Sequence, residues 1–413
     1  MARAMVLRQK LLVAAAWSGV CISARRRTFE SRVRKGIGGP PEMATAKPRA
    51  RDLGLDLAGT PGPFNAITDI PGVAVGSTTI IEAEPRPGRP LPVRTGVTAI
   101  VPHAGAREPK PVYAGIHRFN GNGELTGSHW IEDGGTFTGP VLITNTHNVG
   151  MAHHAAIAWM LKRYASTYGG RDHLWIMPVV AETYDGMLND INGQHLSQDH
   201  VFAALDGAKS GPVAEGNTGG GTAMIAYEFK GGTGTASRRI EIGGNAYTLG
   251  TLVQANHGRR DWLTVCGVPV GRLLRQGMID GLLAERGSII VIIATDLPLA
   301  PHQLKRLARR ASIGIGRGGT PGGNSSGDIF LAFSTANDLV MQHLAPAKQA
   351  LEIINDELFD PIYMAAVESV EEAVLNAMCA AEPMGGTAHD RYAIEALPVD
   401  ELMAVMKGYG RGV

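Results

Sequence analysis

The chain has 413 residues, of which 44% are hydrophobic and 19% are charged, and its formal net charge is +1. This is the composition of a globular protein that is long enough for one large core or two modest ones. The balanced charge gives no support to a nucleic-acid partner or a membrane-surface role. The 54 glycines follow no three-residue period, which excludes a collagen and indicates many tight turns.

The N-terminal segment is separate from the globular pattern. A basic start is followed by an apolar stretch over residues 11–24, which is too short to span a bilayer. It is compatible with a signal peptide that would direct the protein to the periplasm or outside the cell, with a transit-like segment, or with a true start at Met43. In each case we expect residues 1–50 to lie outside the fold, as a poorly ordered extension, and residues 51–413 to form one domain.

The cysteine pattern bears on the compartment. Cys21, Cys266 and Cys379 form no CxxC motif and no even framework. This usage favours a reducing compartment and predicts a cytoplasmic location.

Strands and helices follow one another along the rest of the chain. Short β-branched runs bounded by Gly and Pro predict strands, and Ala-rich or period-3.6 runs predict helices. Strands are predicted in 96–103, 139–147, 174–186, 221–258, 288–296 and 327–337, and helices in 148–166, 301–312 and 365–382, the last of them strongly amphipathic. The mixture indicates a layered α/β or α+β domain.

The stretch "ERGSIIVIIATD" combines a buried strand with a polar start. The continuous Ile/Val/Ala run over 289–294 predicts a strand that is buried on both faces. Gly287 and Ser288 precede it. Taken locally, Gly287 ends a turn and Ser288 is the first strand residue.

Several motifs that could bind a nucleotide or a metal lack the required context. "GIGRGG" (314–319) follows a basic helix and leads into a loop, whereas the dinucleotide fingerprint stands between a strand and a helix. "EGNTGGGT" (215–222) lacks the Lys-Ser/Thr ending of a phosphate loop. The 13 histidines show neither HExxH nor zinc-type spacing, and His153 and His154 point in two directions from one helix. We therefore expect no metal site and no cofactor.

Polar residues recur at the ends of the predicted strands. Each one alone has an ordinary interpretation as a turn or capping residue. Together they supply a hydroxyl nucleophile, amide and phenol donors and carboxylates, which suffices for acyl transfer without a metal. They are Glu182, Tyr184, Asn256, Ser288, Ser326 and Asp328.

Five motifs in order resemble one family, the DmpA-type aminopeptidases, which include the L-aminopeptidase/D-esterase/amidases and the β-aminopeptidases. The similarity extends from about residue 52 to residue 396. The motifs are "HWIEDGGTFTGPVLITNTHNVG", "VAETYDGMLNDINGQH", "LVQANHGRR", "GSIIVIIATDLPL" and "NSSGDIFLAFSTAN".

The resemblance implies a precursor that cuts itself before a serine. The cleaved bond matches Gly287-Ser288, which gives an α chain ending at 287 and a β chain of 288–413 that stay associated. It further implies an α+β fold, a four-layer αββα sandwich similar to that of the ornithine acetyltransferases, and assembly as a homotetramer.

The resemblance also assigns roles to the strand-end residues. Ser288 is the implied nucleophile, and Tyr184 and Asn256 are the implied oxyanion donors. Ser326 and Asp328 match a second serine and an acidic residue near the nucleophile, where the β-aminopeptidases carry Glu in place of this Asp. Glu182 matches the carboxylate that receives the substrate amino group.

Elementary chemistry supports the assignment of Ser288 as the nucleophile. A serine at a chain start has its own base, because an α-amine has a pKa of ~7.7–8.0 and is partly neutral at neutral pH. Gly287 leaves the scissile carbonyl unshielded. We predict a serine aminopeptidase that releases N-terminal amino acids from short peptides, amides or esters through an acyl-enzyme. The alternatives are an acyltransferase of similar fold and an uncut glycine-rich scaffold protein.

Overall fold

The computed structural model describes residues 47–166, 173–279, 285 and 287–411. The predicted N-terminal extension lies outside the described residues up to position 46. Its last residues already pack against the folded domain: Ala50 is fully buried, and its backbone N–H donates to Asn376 Oδ1 at 3.0 Å. No helix in the described part of the chain is both long enough and apolar enough to cross a bilayer.

The strands build two main sheets. In chain order they are β1 (Ala74–Glu82), β2 (Val93–Val101), β3 (Pro111–Arg118), β4 (Thr136–Thr138), β5 (Val141–Asn145), β6 (Val179–Thr183), β7 (Ile225–Ala226), β8 (Phe229–Lys230), β9 (Gly232–Ile242), β10 (Asn245–Asn256), β11 (Ser288–Thr295), β12 (Ile329–Ser334), β13 (Met384–Gly385) and β14 (Ala393–Ile394). One sheet has the order β1-β2-β5-β6 and the other β4-β3-β12-β11-β10-β9. The remaining strands form two small hairpins, β7-β8 and β13-β14.

Most helices in the described part of the chain cover the outer faces of these sheets, whereas the first contributes Ile131 to the core between the sheets. They are α1 (Ser128–Gly134), α2 (Val149–Arg163), α3 (Gln198–Asp206), α4 (Pro301–Ala308), α5 (Ala311–Arg317), α6 (Asp360–Ala380) and α7 (Val399–Gly408). Helices α2 and α3 share a core with the outer face of the four-stranded sheet. Helices α4 to α7 share another with the outer face of the six-stranded sheet. The two sheets face each other across a third core. The molecule is therefore the αββα sandwich that the resemblance implies.

Strand β11 lies in the middle of the larger sheet, between β10 and β12. Its alternate residues enter different cores: Ile289, Val291 and Ile293 face the helices, and Ile290 and Ile292 face the other sheet. All eight residues of the strand are buried. The prediction of a strand buried on both faces is confirmed, because an inner strand of a four-layer sandwich has no solvent side.

Two details of the helices differ from the expectation. The predicted helix 301–312 is interrupted after Ala308, and a second helix, α5, begins at Ala311 and includes the start of the "GIGRGG" motif. Helix α6 is not amphipathic in the ordinary sense, because the polar side chains of Ser369, Glu372 and Asn376 are buried with the apolar ones. The Glu372 carboxylate pairs inside the protein with Arg238 at 2.7 Å, which compensates for its loss of water.

Candidate active site

The predicted site residues meet at one end of the sandwich. β10 ends at Asn256 and β11 begins at Ser288, and these two residues are partners in the antiparallel ladder. β6 ends at Thr183, between Glu182 and Tyr184, and Asp328 immediately precedes β12. Strand pairing thus brings Asn256, Ser288 and Asp328 together within one sheet, and the facing sheet brings in the end of β6, more than a hundred positions before Ser288.

Ser288 is held at the start of β11 with little freedom. It is 7% exposed, and its Oγ accepts a hydrogen bond from the Gly327 N–H at 2.8 Å. The next residue, Ile289, donates its N–H to Asp328 Oδ1 at 3.0 Å. The position of the hydroxyl is therefore fixed by the sheet behind it and by the turn before β12.

Gly287 fills a position that no other residue can take without movement. A Cβ on it would lie 1.6 Å from the Asn256 carbonyl oxygen and 3.2 Å from Asn256 Nδ2. The backbone before Ser288 is thus pressed against Asn256, with the Gly287 carbonyl left free of a side chain.

Asn256 presents its amide in a defined orientation. Its Oδ1 accepts from the Ile225 N–H at 2.8 Å, and its Nδ2 donates to the Tyr184 carbonyl at 2.9 Å. A backbone N–H can face only the amide oxygen, so this contact fixes which end of the side chain is the donor. One of the two Nδ2 hydrogens is left for another acceptor.

Tyr184 contacts Asn256 through its backbone. Its ring is 40% exposed, and in the described part of the chain its hydroxyl makes no hydrogen bond. The phenol lies over its own turn, where a Cβ on Gly186 would be 2.5 Å from the hydroxyl oxygen. The side chain lines the same small cavity as Asn256 and Gly287, which has a volume of about 30 Å³.

Ser326 and Asp328 form a buried pair beside the nucleophile. Ser326 Oγ lies 2.9 Å from Asp328 Oδ2 and accepts from Asn120 Nδ2 at 2.8 Å. Burial raises the pKa of Asp328 to about 6, against the opposing effect of its hydrogen bonds from Ser326 and Ile289, and the nearby charge of Glu285 raises it further. Among the described contacts, Ser326 is linked to Ser288 through the intervening Gly327 backbone.

Glu182 is buried on the other side of Gly327. Its oxygens accept from the Glu124 N–H at 3.0 Å and from the Thr146 hydroxyl. Burial raises the pKa of this carboxyl group. A Cβ on Gly123 would lie 3.2 Å from Glu182 Oε1 and 3.1 Å from the Gly327 carbonyl oxygen, so the carboxylate is close to the turn that holds Ser288.

Three contributors were not predicted from the sequence. Gly327 acts through its backbone N–H, and Asn120 comes from the turn after β3. Glu285, three positions before Ser288, is buried and accepts from the N–H groups of Gly258 and Gly323. Glu285 stands in the "ERGS" stretch itself and Gly327 in "NSSGD", but only the fold brings their partners to them.

A larger groove lies away from these residues. It has a volume of about 510 Å³ and includes the side chains of Trp130, Phe137, Trp175 and Met341. None of the predicted site residues lines it. In the part of the chain that the structure describes, no group of three or more His, Cys, Asp or Glu side chains is arranged as a metal site.

Comparison with known proteins gives a consistent result. A family model described as peptidase family S58 matches residues 65–392. A β-peptidyl aminopeptidase, BapA, of Sphingosinicella microcystinivorans is 48% identical over 378 residues, covering 88% of this chain and 93% of the relative.

Two solved structures have the same fold. One is an L-aminopeptidase D-Ala-esterase/amidase from Ochrobactrum anthropi, described as a prototype for the serine aminopeptidases and a variant of the Ntn hydrolase fold. It matches with a TM-score of 0.87 and 65% identity, over 89% of this chain and 100% of that one. A β-aminopeptidase of Burkholderia sp. matches with a TM-score of 0.79 and 45% identity, over 88% and 99% of the two chains.

Proposed function

This chain belongs to peptidase family S58, and we propose that its serine aminopeptidase activity depends on Ser288 as an N-terminal nucleophile. The protein is a hydrolase of the Ntn fold that acts on short peptides, amides or esters. The acyltransferase alternative finds no support in these relatives. The observation that carries the proposal is the placement of Ser288, which starts the central strand with its Oγ 2.8 Å from the Gly327 nitrogen.

We propose that the first reaction is on the chain itself. Ser288 Oγ attacks the Gly287 carbonyl carbon, the C–N bond breaks, and the leaving nitrogen takes a proton to become the α-amine of Ser288. Water then hydrolyses the Gly287 ester and restores the hydroxyl. The products are an α chain that ends in the Gly287 carboxylate and a β chain that begins at Ser288.

The same serine then acts on substrates. Its α-amine takes the proton from Oγ, Oγ attacks the acyl carbon, and the proton passes to the leaving amine. Water releases the acyl group in a second step with the same proton path. A chain-terminal serine thus needs no separate histidine, and the rigid strand behind it holds the nucleophile in line.

The remaining residues have distinct roles in this proposal. The free Nδ2 hydrogen of Asn256 is directed to the oxyanion, and the Tyr184 phenol is within the same cavity as a second donor. Asp328 and Ser326 orient the start of β11 and face the new amine. The Glu182 carboxylate receives the substrate amino group, since each of its oxygens has a second lone pair to offer.

The assembly and location are also proposals. We propose that the α and β chains stay together, because β10 and β11 share a full antiparallel ladder across the cut. The homotetramer is carried over from the family resemblance, and light scattering on the purified protein tests it. The cytoplasmic location stays a prediction from the cysteine pattern.

Turnover of a dipeptide p-nitroanilide tests the function directly. The wild type releases the chromophore with a free N-terminal residue, and Ser288→Ala does not. Wild-type turnover by the Ser288→Ala protein would show that Ser288 is not the nucleophile.

A further inference from the structure

Glu285 makes an unusual pair of contacts for a residue in a loop. Its side chain is 6% exposed, and its two carboxylate oxygens each accept a backbone N–H, from Gly258 on one side and from Gly323 at 2.7 Å on the other. The two donors are 27 and 38 positions away in sequence. A buried carboxylate with charge-assisted bonds to two separate segments ties them together.

Both segments carry groups of the active site. Gly258 follows Asn256 by two residues. The Gly323 carbonyl oxygen lies 2.8 Å from the Ser326 hydroxyl oxygen. Glu285 thus connects the end of β10, which holds the oxyanion donor, with the turn that holds the second serine.

The space for the carboxylate depends on glycine. A Cβ on Gly323 would lie 2.0 Å from Glu285 Oε2 and 3.0 Å from Glu285 Cβ. Gly258 has a φ of +85°, which favours glycine for its backbone alone. The absence of a side chain at Gly323 therefore leaves room for the Glu285 carboxylate.

Glu285 lies on the α-chain side of the bond that self-cleavage breaks. It lies two positions before Gly287, whose backbone is pressed against the Asn256 carbonyl. Among the described contacts, its carboxylate makes no hydrogen bond to Ser288 or Gly287, although it lines the same small cavity as Gly287. Its position in the chain means that its contacts fix the entry of the backbone into the reacting peptide.

We propose that Glu285 is a positioning residue for self-cleavage, which holds the Gly287 carbonyl in line with Ser288 Oγ by binding the backbone of Gly258 and Gly323. This inference rests on the proposed function. An attacking oxygen must approach the carbonyl carbon in a narrow range of distance and angle, and a shift of about 1 Å costs on the order of 10²-fold in rate. A carboxylate fixed at two points restrains the segment before the bond.

The experiment follows cleavage of the full chain in time. The wild type and its variants are made by cell-free translation, and the uncut and cut forms are separated on a denaturing gel. We expect Glu285→Ala to slow cleavage on the order of ten- to a hundredfold. Glu285→Gln has a smaller effect, because its amide oxygen still accepts one of the two hydrogen bonds.

A second variant displaces the carboxylate without removing it. Gly323→Ala puts a methyl group against Glu285 Oε2, which is the far end of a flexible side chain, so the fold can accommodate it. We expect Gly323→Ala alone to slow cleavage relative to the wild type. The double variant should cleave at about the rate of Glu285→Ala, since the two changes remove the same contact.

Asp296 offers a matched control at the opposite end of β11. Its carboxylate also accepts a backbone N–H, from Thr248 at 2.7 Å. Thermal unfolding of each variant in a Ser288→Ala background, which keeps the chain uncut, measures what the substitution costs the fold. We expect Asp296→Ala to cleave at nearly the wild-type rate, and Glu285→Ala to be far slower than its loss in Tm accounts for.

The outcomes separate this inference from the function on which it rests. A wild type that does not cleave contradicts the proposed function itself. A wild type that cleaves, with Glu285→Ala and Gly323→Ala at the same rate, overturns the role of Glu285. If Glu285→Ala does not fold, the comparison of Glu285→Gln and Gly323→Ala decides, and normal rates for both overturn the inference.

Discussion

Asn256 and Ser288 face each other across the antiparallel ladder, as the last residue of β10 and the first of β11. The ladder places a donor amide and a hydroxyl on adjacent strands, and contacts with Ile225 and Gly327 orient the two side chains. Neither depends on a mobile loop for its position. This register relationship is the structural basis of the proposed mechanism.

Replacement of Asn256 by Asp tests the hydrogen-bond donor of its side chain separately from the acceptor. Asn256→Asp keeps an oxygen for the Ile225 N–H but removes the Nδ2 hydrogens. We expect kcat per cleaved chain to fall on the order of 10²–10³-fold with a smaller change in KM, because an oxyanion donor acts mainly in the transition state. Steady-state kinetics normalised to the cut β chain measure this.

Gln254 is the control for that substitution. It is buried in the same strand and donates to the Thr144 carbonyl at 3.0 Å, away from Ser288. Gln254→Ala should lower Tm and leave kcat per cleaved chain within a few-fold. Equal losses of kcat in both variants would assign Asn256 to the fold and not to the oxyanion.

The buried Glu182 carboxylate predicts selection for a free amino terminus. An N-acetylated dipeptide amide leaves the carboxylate buried without its cationic partner, which costs on the order of 10²-fold in kcat/KM relative to the free peptide. Glu182→Gln should reduce this preference. Equal turnover of the free and acetylated substrates would show that Glu182 does not bind the substrate amino group.

The raised pKa of Asp328 predicts a change of stability with pH. Its pKa in the fold is about 6, above the ordinary value of 3.8, because burial disfavours the charged form. The folded state therefore holds this proton more tightly than the unfolded state does. Its contribution to stability is largest below the unfolded pKa and is lost as the pH rises toward 6.

Thermal unfolding of uncut Ser288→Ala, with and without Asp328→Asn, isolates this group. We expect the Tm of the parent relative to the Asn variant to rise as the pH falls from 7 to 5. A constant difference over that range would mean that the carboxyl does not titrate there.

Gly287 predicts a steric requirement for cleavage. An Ala there would place its Cβ 1.6 Å from the Asn256 carbonyl oxygen, so the strand start must shift and cleavage should slow or stop. Gly316 in α5 is the control, because a Cβ there meets nothing within 4 Å. Gly316→Ala should cleave normally and stabilise the helix by about 0.5–1 kcal/mol. The half-time of cleavage on a gel distinguishes the two.

Much of the site could be predicted because its residues stand at the ends of strongly patterned strands. The Ile/Val run of β11 and the polar residues at the ends of β6 and β10 are local signals. Strand β3 has no such signal. It starts at a proline and contains Gly115, whose missing side chain makes room for the backbone of α4, where a Cβ would lie 2.1 Å from the Lys305 nitrogen. That reason exists only in the folded protein.

Buried charged residues could not be predicted from the local sequence either. Glu372 lies on a helix that the sequence predicts to be amphipathic, yet it is buried against Arg238 and Arg51. The partners lie 134 and 321 positions away, beyond any local pattern. The same holds for Glu285, because its proposed role depends on two glycines from distant segments of the chain.

The N-terminal sequence of the smaller chain tests the central claim most directly. The purified protein is resolved into its subunits, and the intact masses and first residues of each are determined. The account predicts two chains, with the smaller one beginning Ser-Ile-Ile-Val, and a single uncut, inactive chain for Ser288→Ala. A smaller chain that begins Ser-Gly-Asp-Ile would move the nucleophile to Ser326, and an active wild-type protein that remains one chain would contradict the mechanism altogether.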